Sequence, residues 1–118
     1  MHTLISYHTK KQKRDKKDGA QLRSRDEILE TLARLNPELR STFKVRRIGL
    51  FGSFARHEQR PDSDIDLLVD FSEDADLFDL IELKYFLEDR LGHRVDIVPE
   101  RALRDELRQS VNADVSYV

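Results

Sequence analysis

Between Ser63 and Phe71 the chain reads SDIDLLVDF, and its alternation commits this segment to a strand. Successive side chains on a strand point to opposite faces. Ile65, Leu67, Val69 and Phe71 then share one face, while Asp64, Asp66 and Asp70 share the other. The apolar set is expected to anchor in a core. The acidic set holds carboxylates on Cα atoms roughly 6.5–7 Å apart. Burying carboxylates without partners is costly, so that face is either solvated or holds something.

The flanking sequence supplies the rest of a small domain. Ser24 and Glu27 have capping-box spacing and open a helix with an apolar stripe of Ile28, Leu29, Leu32 and Leu35. Asn36-Pro37 is expected to end it, because the residue before proline is pushed out of the helical region. Phe43 to Phe51 reads as a first strand. Gly52-Ser53 breaks it and starts a short helix through about Glu58, and RPDSD makes a turn into the second strand. From Ala75 to Leu91 runs a helix with Leu77, Leu80, Ile81, Leu83, Leu87 and Leu91 along one side, stopped by Gly92. Arg94 to Val98 is the third strand. Pro99 starts a last helix with Leu103, Leu107 and Val111 at steps of four. The order α-β-α-β-α-β-α implies an α+β fold, a small mixed three-stranded sheet with helices packed against it.

At 118 residues this is one domain. Residues 22–118 carry it. Residues 1–21 show no period and read as a flexible basic arm, with six Lys/Arg and one Asp in the first seventeen positions. The arm is a solvated tail or a contact for nucleic acid or a partner. Asp62 to Asp79 holds eight acids and no Lys or Arg. Such a cluster suits divalent cations better than a nucleic-acid backbone. There is no cysteine, which excludes disulfides and thiolate metal sites. No run approaches the length of a membrane span, and the N-terminus lacks the apolar core of a signal peptide, so a cytoplasmic location is expected.

A D-x-D pair alone carries little, because 23 acids in 118 residues supply about four by chance. Asp64 and Asp66 stand out by their setting in an apolar strand. Asp96 repeats that setting between Val95 and Ile97. If the two strands are neighbours, three carboxylates face one another, and their repulsion raises pKa values unless cations bind. Mg²⁺ fits, being hard and content with oxygen ligands and water. Two such ions roughly 3.5–4 Å apart could be shared by the set. Gly52 lets backbone approach a ligand closely, a following helix start offers N–H groups to phosphate, Ser53 adds a hydroxyl, and Arg56 lies three residues on. Other polar residues read as structure: Asp62, Asp74 and Asp76 as loop acids, Asp70 as a surface acid, Lys84 as solvated, Tyr85 as partial core, and Glu100 as favouring the last helix's N-terminus.

Gly52-Ser53, ten residues, then Asp64-Ile65-Asp66 matches the G-S-x10-D-x-D signature of the DNA polymerase β-type nucleotidyltransferases. GLFGSFAR and SDIDLLVDF, followed by RVDIV, resemble the minimal nucleotidyltransferase (MNT) proteins from about Ser24 to Val118. His57 departs from the pattern, standing where MNT proteins often have Gly. The resemblance implies roles. Gly52, Ser53 and Arg56 would hold the phosphates of ATP. Asp64 and Asp66 would ligate one Mg²⁺, and Asp66 and Asp96 a second. Asp96 would receive the proton of the attacking hydroxyl. MNT proteins pair with HEPN-family RNase toxins, so the resemblance further implies a hetero-oligomer. In it, an antitoxin would move AMP from ATP to a toxin tyrosine. An antitoxin acting by binding alone, or a nucleotidyltransferase for a small molecule or RNA end, are the alternative readings.

Overall fold

The computed structural model describes residues 24–118. The basic arm expected at 1–21 lies outside them. Helix α1 (Arg25–Phe43) starts on the expected capping box: the Glu27 amide donates to Ser24 Oγ at 3.1 Å, and the Ser24 amide donates to Glu27 Oε1 at 3.1 Å. It does not stop at Asn36-Pro37, but carries Pro37 in its interior. A proline there costs roughly 3 kcal/mol. Leu39 and Phe43, both buried beyond it, offset that cost, at about 1.5–3 kcal/mol for each large apolar side chain. Lys44 then closes the helix in the left-handed region, at φ 61°.

Strand β1 (Val45–Phe51) runs antiparallel to β2 (Ile65–Phe71), and β2 runs parallel to β3 (Val95–Pro99). Between them lies α2 (Leu77–Leu91), opened by a second capping box, Asp76 with Asp79, and closed by Gly92 at φ 64°. Asp76 is thus a cap and not a free loop acid. After β3 come a 3-10 turn (Glu100–Ala102), α3 (Asp105–Asp114) and a fourth strand, β4 (Ser116–Tyr117). The sheet order is β3-β2-β1-β4, one strand more than expected. β4 is only two residues long and pairs with Gly49 and Leu50. It depends on Gly49 lacking a side chain, since a Cβ there would come within 2.6 Å of Val115 Cγ2 and 2.8 Å of Tyr117 Cδ1. The last helix starts later than Pro99, and Glu100 does not serve its N-terminus. Glu100 instead accepts from Arg47 at 2.8 Å.

The two sheet faces are filled differently. Ile48, Leu50, Ile65, Leu67 and Val69 pack with Ile28, Leu32, Leu83, Leu87 and Leu91 of α1 and α2. The alternation in β2 therefore holds on this face. α2 presents a narrower stripe than expected: Leu77 is 66% exposed and Ile81 38%, and Tyr85, expected as partial core, is 64% exposed. The other face is covered only in part, by Leu103 and Val111 lying over Leu68. Its remainder is left open at the end where β1 stops and β2 and β3 begin. No helix among the described residues is long and apolar enough to cross a membrane.

Candidate active site

The open end of that second face gathers most of the chemistry. Sheet register puts Phe51, Asp66 and Asp96 in one row across β1, β2 and β3. Adjacent strands lie about 4.8 Å apart, so Asp66 and Asp96 are direct neighbours on one face. The half-buried Asp66 carboxyl is pushed up to about 6. Burial is the main cause, followed by the charges of Asp96 and Asp64, with Arg56 opposing. The expected mutual repulsion of the three acids is thus present at this residue.

Gly52 closes the row from the β1 side. It has φ 82°, a conformation that favours glycine, and a Cβ there would overlap Asp66 Oδ2 and approach Asp66 Cγ to 3.1 Å. The backbone that leaves β1 therefore lies directly against the Asp66 carboxylate. Beyond it, Ser53 to His57 wind only one turn and not a helix. The Arg56 amide donates to Gly52 O at 3.1 Å, and the Glu58 amide reaches back to Ser53 O at 2.8 Å. Phe54, fully buried, pins this turn to the core and packs edge-on against His93 with ring centroids 5.5 Å apart. His57 ends the turn at φ 62°, a left-handed conformation that favours glycine.

Arg56 lies beside the turn, but its guanidinium is held: Nε donates to Glu58 at 3.0 Å and Nη1 to Asp114 at 2.7 Å. Asp114, the last residue of α3, thereby ties the C-terminal helix to the turn, a role with no signal in the sequence. Asp64 departs furthest from expectation. It lies just before β2 and pairs with Arg94 Nε at 3.1 Å. The Arg94 side chain also donates to Asp62 O at 3.2 Å, and the His93 ring meets Ser63 O. Among the described residues no three acidic or imidazole groups come together closely enough to enclose an ion, and Asp64 is turned to Arg94. Asp70 pairs with Arg46 at 3.4 Å, as befits a surface acid. Lys84 sits on α2, which covers the opposite face of the sheet.

Comparison with known proteins agrees with this geometry. Residues 32–117 match the model of the nucleotidyltransferase domain family. The protein adenylyltransferase MntA of Thermococcus cleftensis is 45% identical over 93 residues, covering 79% of this chain and 94% of the relative. A solved structure assigned as a minimal nucleotidyltransferase is 47% identical, with a TM-score of 0.64, and covers 75% of this chain and 93% of its own. An MNT antitoxin solved with a tri-AMPylated HEPN toxin of Shewanella oneidensis is 25% identical, with a TM-score of 0.58, over 79% of this chain and 70% of that one.

Proposed function

The chain belongs to the nucleotidyltransferase domain family, and from that premise we propose that it is an antitoxin that transfers AMP from ATP to a tyrosine of a HEPN-type toxin. The observation that carries the reading is the contact of Gly52 with Asp66, itself in register with Asp96. It puts a backbone turn fit for phosphate beside two carboxylates fit for a hydroxyl. The relatives support the rest: one is named a protein adenylyltransferase, and others are solved as toxin–antitoxin complexes, one of them with AMP-PNP.

In this reading the triphosphate lies along Gly52 and Ser53, with Arg56 at its edge. The phenol oxygen of the acceptor attacks the α-phosphorus in line. The bond from that phosphorus to the bridging oxygen breaks, and pyrophosphate leaves. Asp96 takes the phenol proton. The residues fit two Mg²⁺ ions, since Asp66 and Asp96 are neighbouring carboxylates in one row, hard oxygen donors of the kind Mg²⁺ takes, and their charge, after burial, adds to the rise of the Asp66 carboxyl. Asp64 and Asp66 would hold one and Asp66 and Asp96 the other. When bound, such ions neutralise phosphate charge and lower the pKa of the attacking hydroxyl. Arg94 must release Asp64 first. That exchange is cheap, because an exposed ion pair is worth about 0–1 kcal/mol.

The test is a labelling reaction with Mg²⁺ and a HEPN-type toxin as the acceptor. Label from the α-phosphate of ATP should appear on that protein, and label from the γ-phosphate should not. An Asp64→Asn/Asp66→Asn double variant that is folded should transfer none. Full toxin neutralisation by that variant would sink the enzymatic reading.

A further inference from the structure

The transfer chemistry leaves one feature of the open face unassigned. An apolar trough of about 330 Å³ runs between the sheet and α3, walled by Val98, Leu103, Leu107 and Val111, with Asp66 and Asp96 among its lining residues. We propose that this trough is the acceptor subsite, and that it takes the aromatic ring of a tyrosine with the hydroxyl toward Asp66 and Asp96. The inference rests on the reading of the chain as a protein adenylyltransferase and adds to it the residues that select the acceptor.

Three observations support this. The first is position. The trough shares Asp66 and Asp96 with the reacting centre, but Gly52, Ser53 and Arg56 are not among its walls. A group lying in it approaches the carboxylates away from the phosphate turn, as an attacking nucleophile must. The second is chemistry. The walls are mostly hydrocarbon, from Phe51, Val98, Ala102, Leu103, Leu107 and Val111, and the one basic side chain at the rim, Arg104, is 74% exposed and paired with Glu106 at 3.8 Å. A purine seated there would lay its polar edges against hydrocarbon, and an unmatched polar group in an apolar setting is costly. A phenol is apolar along its body and polar at one end, and the polar end falls where the carboxylates are. A serine or threonine acceptor is too short to cover the walls.

The third is exposure and size. Leu107 lies in the first turn of α3 and is 48% exposed, a large apolar side chain that an incoming ring would cover. About 330 Å³ is at the small end of ligand sites, which span roughly 300–1,000 Å³. One ring fits there with its backbone outside, presented by a protein partner.

The experiment uses the full chain with methyl-labelled Leu and Val, and N-acetyl-tyrosinamide and adenosine as separate probes. N-acetyl-tyrosinamide should shift the methyl signals of Leu103, Leu107 and Val111, and adenosine should leave them in place. Shifts from adenosine with none from the tyrosine probe would overturn the proposal and make the trough a nucleobase site. Silence to both would reduce it to packing. In the transfer reaction, Leu107→Gln should raise the KM for the toxin about tenfold and leave the KM for ATP within twofold, and Leu107→Met should behave as the parent. An equal rise in both KM values, or in neither, refutes the assignment. The ring site and the transfer activity are separable. Methyl shifts without any transfer would defeat the activity and keep the ring site. Transfer without methyl shifts would defeat the ring site and keep the activity.

Discussion

Asp66 should make the ion-free protein less stable as its carboxyl ionises, and the size of that penalty follows from the fold. Its pKa is raised from 3.8 to about 6, a rise of about two units, and each unit is 1.36 kcal/mol between protonation states. The full figure is about 3 kcal/mol. Asp66 is only half-buried, so screening by water reduces it to about 1.5 kcal/mol. The sign is that of a folded pKa above the unfolded one. The relative stability it gives is complete below about pH 4 and is lost as pH rises through about 6. Asp66→Asn removes the titration and keeps the shape. In EDTA at pH 7.5 the variant should be more stable than the parent by about 1.5 kcal/mol, and near pH 4 the two should coincide. With a urea m-value of about 1–1.5 kcal/mol/M for a small domain, this is a midpoint shift of about 1 M. Adding Mg²⁺ should stabilise the parent and not the variant, because only the parent's folded state binds it. A variant no more stable than the parent at pH 7.5, with the difference unchanged at pH 4, refutes the claim that burial and the neighbouring Asp96 and Asp64 charges raise the Asp66 carboxyl.

Gly52→Ala should lose about 1–3 kcal/mol of stability for a non-glycine residue held at φ 82°, and at least a hundredfold in transfer as the Asp66 carboxyl is displaced, read by denaturation and α-phosphate labelling. Asp114→Ala should free the Arg56 guanidinium from α3 and raise the KM for ATP several-fold with less than about 1 kcal/mol lost in stability; an unchanged KM would show that Arg56 needs no positioning. His57→Gly removes a left-handed cost of about 1–2 kcal/mol and adds about 0.4–1 kcal/mol of unfolded-state entropy, so the melting temperature should rise by a few degrees; a fall would mean the His57 ring contributes packing. Arg94→Ala should lower the Mg²⁺ concentration for half-maximal activity by up to about fivefold, since the exposed pair with Asp64 competes with about 1 kcal/mol at most.

The fold was legible where one physical signal dominated its neighbours. Alternation fixed β2, and a capping box with an apolar stripe fixed the start of α1. The sequence misled where a local preference met a stronger tertiary one. Pro37 argues for a helix end, but Leu39 and Phe43 lie beyond it and their burial continues the helix. β4 was invisible because two residues carry no period, and its place depends on Gly49, 67 positions from Ser116. The apolar side of α2 looked wide because Leu77 and Ile81 sit within reach of the stripe. Leu83, Leu87 and Leu91 are its buried residues, at steps of four that keep one side of a straight helix inward, and Leu80 and Phe86 pack partly buried beside them.

The site was legible in the same uneven way, and the reason is geometric. Asp66 and Asp96 each carry a local mark, an acid flanked by apolar strand residues, and strand pairing turns that mark into a shared row. Gly52 is marked by its place at the end of a strand. Arg94, Asp114 and Glu58 have no such mark, since each is one charged residue among many and gains meaning only from the residue it meets across the fold. All three hold another site residue in place: Arg94 holds Asp64, and Glu58 and Asp114 hold Arg56. The carboxylates are thus set by backbone register, which the sequence encodes locally. In the proposed reaction, the groups that would adjust to nucleotide and metal are set by exposed ion pairs. Pairs worth about 0–1 kcal/mol can be exchanged for phosphate or cation contacts at little cost. A rigid row of acids beside exchangeable side chains suits a site that must bind a highly charged substrate and release a charged product in each cycle.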